Sequence, residues 1–181
     1  MKKKTKKKSK WKWPLFITIL TFFISITFSY VSDKLLGHAG LIGALIILVF
    51  FILLGIVTDL IGMAVAAADA APFHSMAANK VKGAKYAVKL VSNASKVTNI
   101  LNDVVGDICG IIVGSTIAVI VLKFASLYGF SDTALLSVML SGFAAALTVG
   151  GKAVGKYFAL SYTNAIVANT ARILDIFRLK R

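Results

Sequence analysis

Asn99-Ile-Leu-Asn102-Asp103-Val-Val-Gly106-Asp107-Ile-Cys109-Gly110-Ile-Ile-Val-Gly114-Ser115 runs on, apolar, to Leu122. Residues three and four apart stack on one helical face. On that spacing Asn99, Asn102, Asp103, Gly106, Asp107, Gly110 and Gly114 form one stripe. Leu101, Val104, Val105, Ile108, Ile111 and Ile112 form the other. The second face suits lipid. The first, in a membrane, must turn to protein or to a watery path, because an intramembrane carboxylate is expensive without a partner.

The surrounding composition makes the membrane the natural solvent. The chain has 181 residues, of which 58% are hydrophobic, with a mean hydropathy of +0.84; a soluble domain carries about 45–50%. Its 21 Lys and Arg face seven acids, all Asp. On so apolar a background the net charge of +14 points to anionic lipid and to topology, not to nucleic acid. Cys109 stands alone and makes no internal disulfide; His38 and His74 carry no motif.

Outward from the stripe, the chain reads as an all-α integral membrane protein with four spans. Residues 1–12 are a basic arm with eight lysines, and 13–181 form a single transmembrane domain. Trp11 and Trp13 sit where interfacial anchors belong, and Pro14 suits a first helical turn. The spans are expected at about 15–31, 41–68, 99–122 and 133–150. The first has a rival reading as a signal peptide, although no small-x-small cleavage site comes after it. Residues 31–40 read as a short loop. In the second span Asp59, Gly62, Ala66 and Asp69 share a face. Small residues there suit close packing; Asp59 needs a partner or water. Residues 70–98 read as a surface hairpin of two short helices broken at Gly83, with Ser95 placed to cap the third span. Residues 156–181 read as an amphipathic juxtamembrane helix in which Arg172, Asp175 and Arg178 are spaced to pair. Of the 21 basic residues, 19 lie in the arm, the hairpin and the stretch after the last span, leaving Lys34 and Lys123 on the other side. The positive-inside rule then puts both termini in the cytoplasm of a multi-pass cell-membrane protein.

The order of these features resembles the transmembrane domain of CNNM/CorC-type magnesium and cobalt transporters over roughly residues 45–180. The matching pieces are Ala66-Ala-Ala-Asp69-Ala-Ala71, the basic hairpin, Asn99-Ile-Leu with Gly106-Asp107, and Gly151-Lys-Ala-Val-Gly155-Lys156-Tyr-Phe-Ala159. The resemblance implies a dimer that binds Mg²⁺ through oxygen ligands among its helices. Ala66 and Ala68 stand where the family's motif has serines, Asp69 where it has Glu, and Asp107 where it has an Asn. Lys152 replaces a ligand Glu, and Gly155 a Pro. The family's cytosolic nucleotide-binding (CBS) domains have no counterpart in this sequence.

No HExxH or GxSxG is present, and Val149-Gly150-Gly151-Lys152 lacks the spacing of a phosphate loop, so no enzyme is expected. The leading expectation is transport of Mg²⁺ or another divalent cation. Its path would use Asp59, Asp69, Asn99, Asn102, Asp103, Gly106, Asp107, Gly151 and Lys152, with Asp103 and Asp107 as metal ligands. The alternative is a non-transporting scaffold or regulator, pairing with itself or with a full-length family member, in which Lys152 takes the metal's place. A membrane-permeabilising protein is a weaker third reading, prompted by the basic arm. A transporter should leave an Asp free for an ion; a scaffold should satisfy each one with a protein donor.

Overall fold

The computed structural model describes residues 12–129 and 132–179, with the side chains of 12–14 and 177–179 left aside. The basic arm before Lys12, Trp11, and the side chains of Trp13, Phe177 and Arg178 therefore lie outside the described residues. The described chain is helical: α1 Lys12–His38, α2 Leu41–Ala67, α3 Ala70–Ala78, α4 Ala84–Ser92, α5 Ala94–Thr98, a π-helical segment Asn99–Val105, α6 Gly106–Tyr128, α7 Thr133–Ser161 and α8 Thr163–Leu179. Among the described residues four stretches are long and apolar enough to cross a membrane: Leu15–His38, Leu41–Ala67, Ala94–Tyr128 and Thr133–Ser161.

α2 is the axis of the bundle. Ala44, Leu48, Ile52, Gly55, Asp59, Gly62 and Val65 recur every three or four residues and are all buried. Their upper part meets Val113, Ile117 and Ile120 of α6, Leu36 of α1 and Ala144 of α7. Their lower part meets Phe73 of α3, Ala87 of α4, Ala159 of α7, and Val167 and Ala171 of α8. A third cluster, Val104, Ile108 and Ile112, packs under Ile17 and Ile24 of α1. The outward faces are apolar as well, with Phe22, Phe23, Ile42, Val138, Met139 and Phe143 exposed. So continuous an apolar belt is what lipid or a partner covers.

Several boundaries differ from the sequence expectation, in one direction. α1 runs through Ser32, Asp33 and Lys34 to His38, so the expected loop at 31–40 shrinks to Ala39 and Gly40. α6 reaches Tyr128, beyond the expected end at 122. α7 carries on past Gly150 to Ser161, so the amphipathic helix expected from 156 starts at Thr163. Polar residues end an apolar run without ending backbone hydrogen bonding, and none of these positions holds a proline to force a stop. Ser95 lies inside α5 and does not occupy its N-cap; Asn93 does, with its side chain donating back to the Lys89 carbonyl and making no capping bond to α5.

Two contacts fix the ends of the bundle. The half-buried Lys123 of α6 donates from Nζ to the carbonyls of Leu36, at 2.8 Å, and Ala39. It thereby satisfies backbone acceptors that the end of α1 leaves open. At the other end the hairpin breaks at Gly83, as its sequence implies. Gly83 has φ +80, and a Cβ there would lie 2.9 Å from the Arg172 backbone nitrogen and 3.0 Å from its Cα. The α3–α4 turn is thus pressed directly onto α8.

Candidate functional site

Where α2 passes the π-helical segment, polar groups meet inside the bundle. Gly62 removes a side chain from α2, and Asn102 fills the gap: its carboxamide occupies the space a Cβ on Gly62 would take. The Thr98 hydroxyl donates to the Gly62 carbonyl at 3.1 Å, tying α5 to α2 at the same level. One turn along α2, Asp59 is 6% exposed. Among the described residues, neither its Oδ2 nor the Oδ1 of Asn102 meets a donor. Asp59 and Gly62 are three residues apart, about 4.5 Å of helical rise. Two buried oxygen acceptors without donors therefore lie within a turn of each other, a costly arrangement unless something positive joins them.

A third group approaches from α7. A Cβ on Gly106 would be 3.7 Å from Lys152 Nζ, so the half-buried ammonium rests against the junction of the π segment with α6. Among the described residues it forms no ion pair with Asp59, Asp103 or Asp107. Glycines let α7 come this close: Ile56 of α2 fills the space beside Gly151, and a Cβ on Gly155 would touch Ile56 at 3.6 Å and Leu60 at 3.7 Å. Gly55 and Cys109 bring α2 and α6 together in the next turn, at 3.4 Å for the corresponding Cβ contact.

The expected stripe is divided. Asn102 and Gly106 face the bundle, whereas Asp103, Asp107, Gly110 and Gly114 are exposed. Val104, Ile108 and Ile112, assigned to lipid by the α-helical period, are buried under α1. Adjacent residues of a helix point about 100° apart, so Asn102 turns to Gly62 of α2 and Gly106 to Lys152 of α7 while Asp103 and Asp107 turn away, and α1 covers the face of Val104, Ile108 and Ile112. Asp69 also departs from the face that its spacing shares with Asp59. It is exposed beyond the end of α2, where it caps α3 by accepting from the Ala71 N–H at 3.2 Å. Ala66 is exposed too. Asn99 is half-buried at the start of the π segment. The structure thus gathers Asp59, Asn102, Gly106, Gly151 and Lys152, and leaves Asp69, Asp103 and Asp107 outside. Among the described residues no three His, Cys, Asp or Glu side chains cluster as a metal site.

Thr98 and Gly62 join this site without belonging to the path that the sequence implies. The small residue beside Asp59 is the sequence signal for Gly62; only the fold shows the Thr98 bond. Comparison with family models, curated proteins and solved structures finds no match to this chain.

Proposed function

We propose that this chain is a multi-pass membrane protein that binds and passes a cation between α2 and the π segment, with Asp59 as its central ligand and Asn102 beside it. The observation that carries the reading is the pair of buried, donorless oxygens, Asp59 Oδ2 and Asn102 Oδ1. A cation satisfies both at once, and the π segment adds backbone of the kind that π-bulges bring to functional sites. The resemblance to CNNM/CorC-type transporters makes Mg²⁺ or another divalent cation the first candidate cargo. Mg²⁺ commonly keeps several waters and uses only one or two protein carboxylates, which suits a site with a single Asp. The concentration of basic residues around α3, α4 and α8 supports a cytoplasmic placement of that end.

A second copy fits the exposed side of α6. Asp103 and Asp107 continue there into Gly110 and Gly114, whose Cβ positions meet open space. Glycines four apart let spans approach closely, and the two carboxylates need cover from lipid. A Gly114→Leu chain in detergent, sized by light scattering, is expected to be monomeric where the wild type is dimeric; an unchanged dimer rejects this face.

One observation favours the alternative, a non-transporting relative: Lys152 brings its own positive charge to Gly106. Calorimetry of Mg²⁺ with the detergent-solubilised chain separates the two. Binding by the wild type that is lost in Asp59→Asn supports the cation site. No binding by the wild type, with binding gained in Lys152→Met, means that the lysine holds the metal's place.

A further inference from the structure

Lys80, Lys82 and Lys85 lie at the α3–α4 turn, Lys82 shares a cavity with Arg172 of α8, and all four are exposed. The close seat of Gly83 on the Arg172 backbone is what brings the turn and α8 together. Two cavities open at this seam. One, of about 540 Å³, is lined by Val81, Lys82, Arg172, Asp175 and Ile176. The other, of about 470 Å³, shares Val81, Lys82 and Asp175 and adds Lys80 and Lys85. Among the described residues neither Lys82 nor Arg172 is engaged in a hydrogen bond or an ion pair, and Asp175 is the one acid lining either cavity. Lys82 and the arginine fork of Arg172 outnumber Asp175 in the first cavity, and Lys80 and Lys85 add to Lys82 in the second, a charge balance that suits a phosphate.

The seam continues in a different character. A third cavity, of about 280 Å³, is lined by Tyr86, Leu90, Val97 and Leu174, together with Lys89, Asn93 and Lys96. Its lining is mainly apolar. Tyr86 lines both the second and the third cavity, so the basic stretch at Lys82 adjoins a groove whose surface is mainly apolar although Lys89 and Lys96 also border it. α4 and α8 pack against Ala64 and Val65 near the end of α2 and Ala159 near the end of α7, and the end of an apolar span is where a membrane protein meets head groups.

We propose that this groove binds one anionic phospholipid, with its phosphate between Lys82 and Arg172 and an acyl chain along Tyr86 and Leu174. Basic pockets beside membrane helices suit anionic head groups, and the apolar extension separates a lipid from free phosphate. The proposal stands independently of the cation site.

The test is calorimetry of the full chain in neutral detergent with dihexanoyl phosphatidic acid, dihexanoyl phosphatidylcholine and inorganic phosphate. Wild type should bind the phosphatidic acid about tenfold or more tightly than either of the others, the scale of one charge-assisted hydrogen bond. Lys82→Gln with Arg172→Gln should lose about tenfold or more. Asp175→Asn should gain roughly twofold to fivefold, a change in a direction that misfolding does not produce. Lys156→Gln, equally basic and exposed but outside the groove, should leave binding unchanged. The proposal is overturned if the double variant binds like wild type, or if phosphatidylcholine binds as well as phosphatidic acid. It is overturned equally if inorganic phosphate alone matches the lipid, which would make this a site for free anions.

Discussion

Lys152 Nζ lies 3.7 Å from the point where a Cβ on Gly106 would sit, so a residue of α7 and a residue of α6 share one position inside the bundle. That distance is ordinary van der Waals contact. Gly106→Ala should fold with little change. Gly106→Leu should drive the ammonium out and cost about 1–3 kcal/mol, read as a lower Tm in detergent. Lys152→Ala should recover part of the loss in the Leu background and none in the wild type. Equal effects of Lys152→Ala in both backgrounds would show that the two positions do not interact.

Gly62 and Asn102 make a tighter pair, since the carboxamide sits where a methyl group on Gly62 would go. Gly62→Ala should displace Asn102 and destabilise by about 1–3 kcal/mol. Asn102→Ala alone removes a buried acceptor that has no donor and should cost less. The double variant should be more stable than the sum of the two single losses, because the second substitution makes room for the first. Chemical-denaturation midpoints of the four proteins give the coupling directly.

Gly83 differs from Gly62 because its neighbours are backbone atoms of Arg172, which cannot rotate away. Gly83→Ala should incur about 1–2 kcal/mol for φ +80 alone, and should also lift the α3–α4 turn from α8. The expected readout is faster proteolysis at the turn with the apolar spans still folded. Cleavage at the wild-type rate would mean that the turn does not depend on the seat.

The spans are legible in the sequence because hydropathy dominates them: the second, expected at 41–68, is α2, Leu41–Ala67. Helix ends are not, since apolar content marks where lipid stops and not where hydrogen bonding stops. Lys34 lies inside α1 and Lys156 inside α7, although the apolar runs of both helices stop short of them. Asp59 and Lys152 are recognisable as groups in need of partners, because a charge inside or at the edge of an apolar run has few places to go. The separation of Asn102 from Asp103 is not legible. It depends on which sector of the segment meets Gly62 of α2, and no residue type in Asn99–Val105 demands the π geometry found there either.

That wider turn also has a meaning in chain length. A π turn holds one residue more than the α turn it replaces, so Asn99–Val105 carries a surplus residue relative to an ordinary helix. Removing Val105 should let the segment revert to an ordinary helix while Thr98 keeps its bond to Gly62. Removing one residue from the middle of α6 should instead turn one half of that helix by about 100° against the other and unfold the bundle. Circular dichroism and Tm of the two shortened chains distinguish them. Length is thus negotiable at the one place where the polar groups converge, and fixed in the helix beyond it.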